Sequence, residues 1–360
     1  MHIIFLGDSI CTQNTGIHFY GIQLVNRIIK NLHGHEYSIV FPHYNPEFNI
    51  RQIIIPEKRW LPFHLRFRQL ITIPRRINKL KPDVVIELAH FGPFFLSLGI
   101  KRITVIHDLT PVIHPEFHNI LSVLMHRLLL PGILRRTDKI IVNSNNTKSD
   151  VIKRYGIRES KIEVVYPKLR APIVDVQYSK RPLLPAVKRP FFLSVGTIEP
   201  RKNQITVIRA FEKFCERNDE YYLVIAGKKG WKNKSFFEYY KGSTYKDKII
   251  LTGYISREAL WGLYSHAFAF VFASKYEGFG LPVLEAQFFG LPLLLSRIPV
   301  MEEVAAYAAL YFDPLDSDEL SSCMHSIVED KSLRITLGET SRAMFNKLQS
   351  MEHNLASIFD

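Results

Sequence analysis

The chain has 360 residues, 47% of them hydrophobic and 22% charged. These values lie near the averages of soluble globular proteins, which excludes wholesale disorder and leaves room for about two domains with cores of their own. The net charge of +13 lies wholly in the first half, where residues 1–185 hold 26 Lys and Arg against 13 Asp and Glu, while residues 186–360 hold 21 of each. The three cysteines, Cys11, Cys215 and Cys323, are odd in number, far apart and without CxxC spacing, which argues against a disulfide framework or structural zinc and for a reducing, cytoplasmic setting.

In chain order, the first half alternates short apolar runs with longer mixed ones. HIIFLG, YSIVF, PDVVIEL, RITVIHD, KIIVNS and IEVVYP predict strands, and TGIHFYGIQLVNRIIKNL, LSVLMHRLLLPGILRRT and NTKSDVIKRYG predict helices. Continuous apolar strands separated by helix-length segments give βαβ units and a parallel sheet. The opening MHIIFLGDS lacks a basic start and a cleavage site, so no export signal is expected. LSVLMHRLLLPGIL is interrupted by His126, Arg127 and Pro131, and AFAFVFA at 267–273 is too short, so no membrane span is expected.

Residues 58–81 hold Lys58, Arg59, Arg66, Arg68, Arg75, Arg76, Lys79 and Lys81 among Trp60, Phe63, Phe67 and other apolar residues, with no acidic residue. A basic amphipathic segment of this kind suits an anionic membrane surface, or equally a solvated face flanking core residues. No nucleic-acid-binding motif accompanies it.

Pro167, Pro172, Pro182, Pro185 and Pro190 fall in a stretch without hydrophobic period, which places a linker at 171–190. The second half then repeats the pattern: strands FFLSVG, YYLVIAG, KIILTGYI, FAFVFAS, LPLLLS and ALYFDP, and helices NQITVIRAFEKFCERN, SREALWGLYSHA and LPVLEAQFFG. The expected architecture is α/β, with two doubly wound parallel-sheet domains at 1–170 and 191–342 facing a cleft, and a segment 343–360 returning to the first. Ligands in such sheets bind beyond the carboxyl ends of strands, so the loops after HIIFLG, RITVIH, FFLSV, YYLVIA and FAFVFAS are the ones to inspect.

Three of these loops carry chemistry. Glu277-Gly-Phe-Gly-Leu-Pro-Val-Leu-Glu285 follows FAFVFAS, with Pro282 suited to a first helical turn; Gly278 and Gly280 then sit where free amides emerge at a helix N-terminus, a phosphate cradle flanked by two carboxylates. Gly196-Thr-Ile-Glu-Pro-Arg-Lys-Asn203 places Arg201 and Lys202 at the next strand-to-helix turn, suited to neutralising a leaving diphosphate. His107 and Asp108, in VIHDLTP, offer hydrogen bonds to a polyhydroxylated ligand, and Asp108 is placed to orient the imidazole. The loop from Gly7 to Gly16 is weaker, since it lacks GxGxxG; Gly16 would only permit close backbone approach. Asp316-Ser-Asp318 has the look of an acidic metal triplet, but Asp316 and Glu319 have the spacing of a helix cap.

Together, EGFGLPVLEA, GTIEPRKN, the HD of VIHDLTP and ALYFDPLDSDEL resemble the retaining glycosyltransferases of family 4, over nearly the whole chain and most closely at 191–320. The resemblance implies the two-Rossmann GT-B fold, no metal, and no cofactor beyond a nucleotide diphosphate sugar as donor substrate. It implies that Glu277 with Gly278, Phe279, Gly280 and Leu281 meets the donor sugar, Glu285 the ribose, Arg201 and Lys202 the diphosphate beside Gly196 and Thr197, and that His107 reaches the sugar from the first domain. HDLTPVIHP is similar to mannosyl-transferring members, which favours GDP-mannose as donor and a polyprenyl-diphosphate-linked or oligosaccharide acceptor at the inner membrane face. An epimerase of the same layout is the alternative. Against the family pattern, Thr197 stands where many relatives have Arg, Ala306 and Tyr307 replace a Gly-Asp pair, and Met351 replaces a frequent Trp.

Overall fold

The structure, a computed structural model, describes residues 1–11, 16–57, 67–92, 95–169, 187 and 190–359. The chain divides into two compact units, Met1–Lys168 with Glu352–Asp360, and Leu169–Met351. The first contains β1 (His2–Leu6), β2 (Glu36–Phe41), β3 (Arg51–Ile54), β4 (Val84–Glu87), β5 (Lys101–Ile106), β6 (Lys139–Val142) and β7 (Ile162–Val164), in the order β3-β2-β1-β4-β5-β6-β7. The second contains β8 (Phe191–Val195), β9 (Tyr222–Ala226), β10 (Ile249–Gly253), β11 (Ala269–Phe272), β12 (Leu293–Ser296) and β13 (Ala309–Phe312), in the order β10-β9-β8-β11-β12-β13. Every pairing in both sheets is parallel.

Alternation along β1 shows why its sequence is apolar without a break. Ile3 and Phe5 join a core with Leu24, Ile28 and Ile39, while Ile4 and Leu6 join the opposite one with Val40, Ile73 and Ile77. A strand covered on both faces buries successive side chains alike. The first of these cores is completed from the far end of the chain, by Leu355 and Ile358 of the turn Leu355–Phe359.

Each sheet reverses its strand order once, between β1 and β4 and between β8 and β11. At such a point the loops leave neighbouring strands in opposite directions and open a crevice. The loops carrying Arg201 and Lys202, after β8, and Glu277, after β11, therefore meet at the reversal of the second sheet.

The structure differs from the sequence expectations in two places here. The edge strand β3 was not foreseen, because only Ile53 of RQII is fully buried and the run shows no apolar continuity. The unbroken helix Lys331–Ser350 passes through 343 with Met344, Phe345 and Leu348 buried, so the chain leaves the second unit after Met351, not near 342. The linker placed at 171–190 lies almost wholly outside the described residues.

Candidate active site

In the second unit, Glu277 is 7% exposed and accepts from two cations at one oxygen: Lys202 Nζ lies 2.5 Å and Arg201 Nη1 2.7 Å from Oε1. Arg201 is also held by Glu199, 2.8 Å from Nη2, and donates from Nη1 to the Tyr276 carbonyl at 3.0 Å. The Lys202 ammonium sits 4.8 Å from the centre of the Phe272 ring. Burial by itself would raise the Glu277 pKa, but Arg201 and Lys202 outweigh it and hold the carboxyl below its ordinary range. Burial pushes the Lys202 ammonium down, with Glu277 working against the shift, and raises the Glu199 carboxyl.

Local backbone chemistry explains how the loop can be built. Asn203 adopts a left-handed conformation, φ 57°, and its amide donates to the carbonyls of Ala273 and Pro314, which ties the β8 loop to the β11 and β13 loops. A side chain at Gly227 would place Cβ 2.0 Å from the Gly196 carbonyl oxygen, so only glycine lets these two loops approach. Thr197 is half-buried, and its carbonyl accepts from Gln204 Nε2 at 3.0 Å.

The helix Leu281–Phe288 begins at Gly280, whose φ of 96° is left-handed and whose missing Cβ would lie 2.7 Å from Met301 Cε. Val283 N–H bonds to the Gly280 carbonyl and Pro282 has no donor, while the amides of Gly280 and Leu281 have no internal partner among the described residues. These amides and the positive end of the helix dipole form an anion cradle beside Glu277 and its cations. Gly278 and Phe279 are buried in the same turn. Glu285 sits one turn further, with Oε2 accepting from the Tyr264 hydroxyl at 3.0 Å and its pKa raised by burial.

In the first unit, His107 is 4% exposed at the end of β5. The backbone N–H of His107 donates to His90 Nε2 at 3.0 Å, His90 Nδ1 faces His126 Nε2 at 3.5 Å, and His126 Nδ1 lies 2.8 Å from the Ser122 carbonyl. Donor logic assigns the tautomers along this line: His90 accepts at Nε2, so it carries its proton at Nδ1, and His126 does the same. Burial and the neighbouring imidazoles lower the His90 pKa, and burial lowers that of His107, so both are neutral.

Orientation of the His107 ring is a correction to the sequence reading. Its Nε2 is held by the Leu88 carbonyl at 2.7 Å, while Asp108 Oδ1 accepts from the Thr110 amide at 2.9 Å and shapes the following turn. Gly16 is exposed and opens the helix Gly16–Asn31, next to residues 12–15, which lie outside the described residues. Asp316 caps the helix Ser317–Glu329 through the amides of Asp318 and Glu319, as its spacing implied.

Sequence reasoning missed His90, His126, Glu87 and the Asp8–Arg68 ion pair. All but His126 lie at or beside the ends of β1 and β4, the strands that flank the reversal of the first sheet. The signal was AHFG directly after the predicted strand PDVVIEL, a loop of the type that the strand-end rule selects. Glu87 accepts from the Ala89 amide at 2.6 Å, leaves Oε2 buried without a partner, and has its pKa pushed up to about 8 by burial.

Comparison with known proteins places this geometry. The profile described as "Glycosyl transferases group 1" matches residues 175–344, and that described as "Glycosyltransferase Family 4" matches residues 15–167. The chain belongs to glycosyltransferase family 4. This glycosyltransferase is 28% identical over 354 residues to O-antigen chain mannosyltransferase B of Escherichia coli, covering 93% of this chain and 92% of that one. It is 30% identical over 274 residues to the serotype-specific mannosyltransferase WbdA of Escherichia coli, covering 69% of this chain but only 33% of that longer protein. Its fold matches the crystal structure of HepE from Anabaena in complex with UDP and glucose, with a TM-score of 0.73 at 16% identity over 96% of this chain and 95% of that one. The glycosyltransferase thus has the GT-B architecture of two parallel-sheet α/β domains.

Proposed function

We propose that this glycosyltransferase moves a mannosyl group from GDP-mannose to a lipid-linked or oligosaccharide acceptor in surface-polysaccharide synthesis, with retention at the anomeric carbon and without a metal. The observation that carries the reading is the buried Glu277 held by Arg201 and Lys202 beside the amides that open the helix Leu281–Phe288. The mannosyl choice is supported by the names of the E. coli relatives, both mannosyltransferases.

Breaking the bond between the anomeric carbon and the diphosphate leaves the electron pair on a phosphate oxygen and positive charge on the sugar ring. Negative charge on the departing GDP is met by Arg201, Lys202 and the helix amides, all fixed before the donor arrives, so little reorganisation is needed. Glu277 holds both cations in register and, ionised, lies on the side where the sugar becomes positive. The acceptor hydroxyl attacks the face from which GDP departs and passes its proton to the departing phosphate. Glu285 is assigned to the donor ribose, and His107, neutral and acceptor-ready at Nδ1, to the sugar.

A thermal-shift panel of GDP-, UDP-, ADP- and dTDP-sugars in EDTA tests this. GDP-mannose at 100 times its dissociation constant is expected to stabilise by about 2.7 kcal/mol, and the others little. A shift with a UDP-sugar alone overturns the donor assignment, and release of an epimer from donor alone overturns transfer in favour of isomerisation. NMR of the product's anomeric proton decides retention.

A further inference from the structure

The helix Ile120–Arg136 is apolar on both sides. Inward, Val123, His126, Leu130, Ile133 and Leu134 are buried. Outward, Ile120 is 86%, Leu121 58%, Leu124 50% and Leu128 67% exposed. A helix on a water-facing surface ordinarily presents polar residues there, and this one has no acidic residue anywhere along it. The exposed leucines form one stripe bordered by Arg127 on one side and Arg136 on the other, with Arg135 in the last turn, all three exposed. The helix is not long and apolar enough to cross a membrane.

We propose that this face docks the protein on an anionic lipid surface. Leucines at this spacing enter the boundary between headgroups and acyl chains, while arginines on the borders extend their stems over apolar surface and their guanidinium groups to lipid phosphates. Charge selects this occupant over a second copy of the chain, because two such stripes would bring like charges together. The face is separate from 58–81, where a membrane surface or equally a solvated face was expected. There, residues 58–66 lie outside the described residues, Arg68 is 3% exposed and paired with Asp8, and Ile73 and Ile77 face the core beneath exposed Arg75 and Arg76. The docking face deepens the lipid-linked-acceptor reading above, on which it rests for its purpose, yet it can be measured without transfer.

Flotation with phosphatidylcholine vesicles, with and without about a third phosphatidylglycerol, is the test. The full chain is expected to float with the anionic vesicles. Leu124→Ser with Leu128→Ser is expected to lower partitioning by about tenfold or more, and Arg127→Gln with Arg135→Gln and Arg136→Gln to remove the preference for phosphatidylglycerol. Circular dichroism and the GDP-mannose thermal shift are expected to be unchanged in both variants, and a full-chain parent that fails to float while keeping its donor shift would sink the docking face alone. Full-chain protein that floats with neither vesicle, variants that float like the parent, or a dimer in light scattering that the serine pair splits would each overturn the proposal.

Discussion

The loops after β8 and β11 in the second unit and those after β4 and β5 in the first solve the burial of polar groups in opposite ways, while at the end of β1 Asp8 and Arg68 are paired as charges. In the second unit, two carboxylates and two cations, Glu199, Arg201, Lys202 and Glu277, are buried as a compensated charge cluster in which Glu277 stays ionised. In the first unit the buried groups at β4 and β5 are neutral: Glu87 is protonated below about 8 and the histidines His90 and His107 are uncharged. A charge cluster is suited to meeting charge that develops during a reaction, whereas a neutral hydrogen-bonded line fixes position without attracting ions. The difference supports the proposal that the departing diphosphate is met in the second unit.

The comparison breaks most visibly at Glu277. Glu277→Gln is expected to lower the transfer rate by about 10³-fold or more, measured with GDP-mannose and acceptor, and to destabilise the second unit by about 3 kcal/mol, since the nearly buried Lys202 loses its carboxylate and Arg201 is left with Glu199. Full activity in this variant would remove Glu277 from the site. Next in size is Glu87. Its native pKa of about 8 against an ordinary 4.5 means that the folded state binds the extra proton between those values, so stability falls as pH rises through that window, by up to ~1.4 kcal/mol per pH unit. Glu87→Gln is expected to flatten that loss in denaturant titrations across pH, and an unchanged slope would mean that Glu87 is ionised.

His90 has the opposite sign. Its pKa is depressed by burial, so the unfolded chain binds the proton more readily and stability falls as pH drops below the ordinary imidazole value of 6.5. His90→Gln should flatten this acid limb and lower transfer by about tenfold through misplacement of His107, with the donor thermal shift unchanged. Loss of the donor shift would show that the histidine line supports the fold at large. The smallest expected effect is a gain. Ala306 is held at φ 46°, ψ −120°, where a Cβ is strained by of order 1–3 kcal/mol, so Ala306→Gly should stabilise by about 1 kcal/mol and raise Tm by about 2 °C.

Legibility in the sequence followed the range of the interactions. The parallel strands were readable because burial on both faces writes an unbroken apolar run, and EGFGLPVLE and GTIEPRKN were readable because a strand, a glycine turn and a helix start are local events. The substitution at Ala306 was visible too, although only the backbone angle shows that it falls where glycine is favoured. The histidine line was not legible, because His90, His107 and His126 come from separate elements and meet only through the order of β4 and β5. Arg68 was misjudged for a related reason. A basic residue in a basic run reads as solvated, and nothing local marks the one that turns inward to bond the Ile55 carbonyl and Asp8.

His126 and Leu124 stand on opposite sides of one helix, the first bonded towards His107 and the second facing outward. A helix is about 10 Å thick and hardly compressible across its axis. Under the docking proposed above, His107 would stand at a fixed height above the bilayer, set by backbone and not by a flexible tether. Under that proposal, a lipid-anchored acceptor would be selected by the length of chain between its anchor and its terminal hydroxyl.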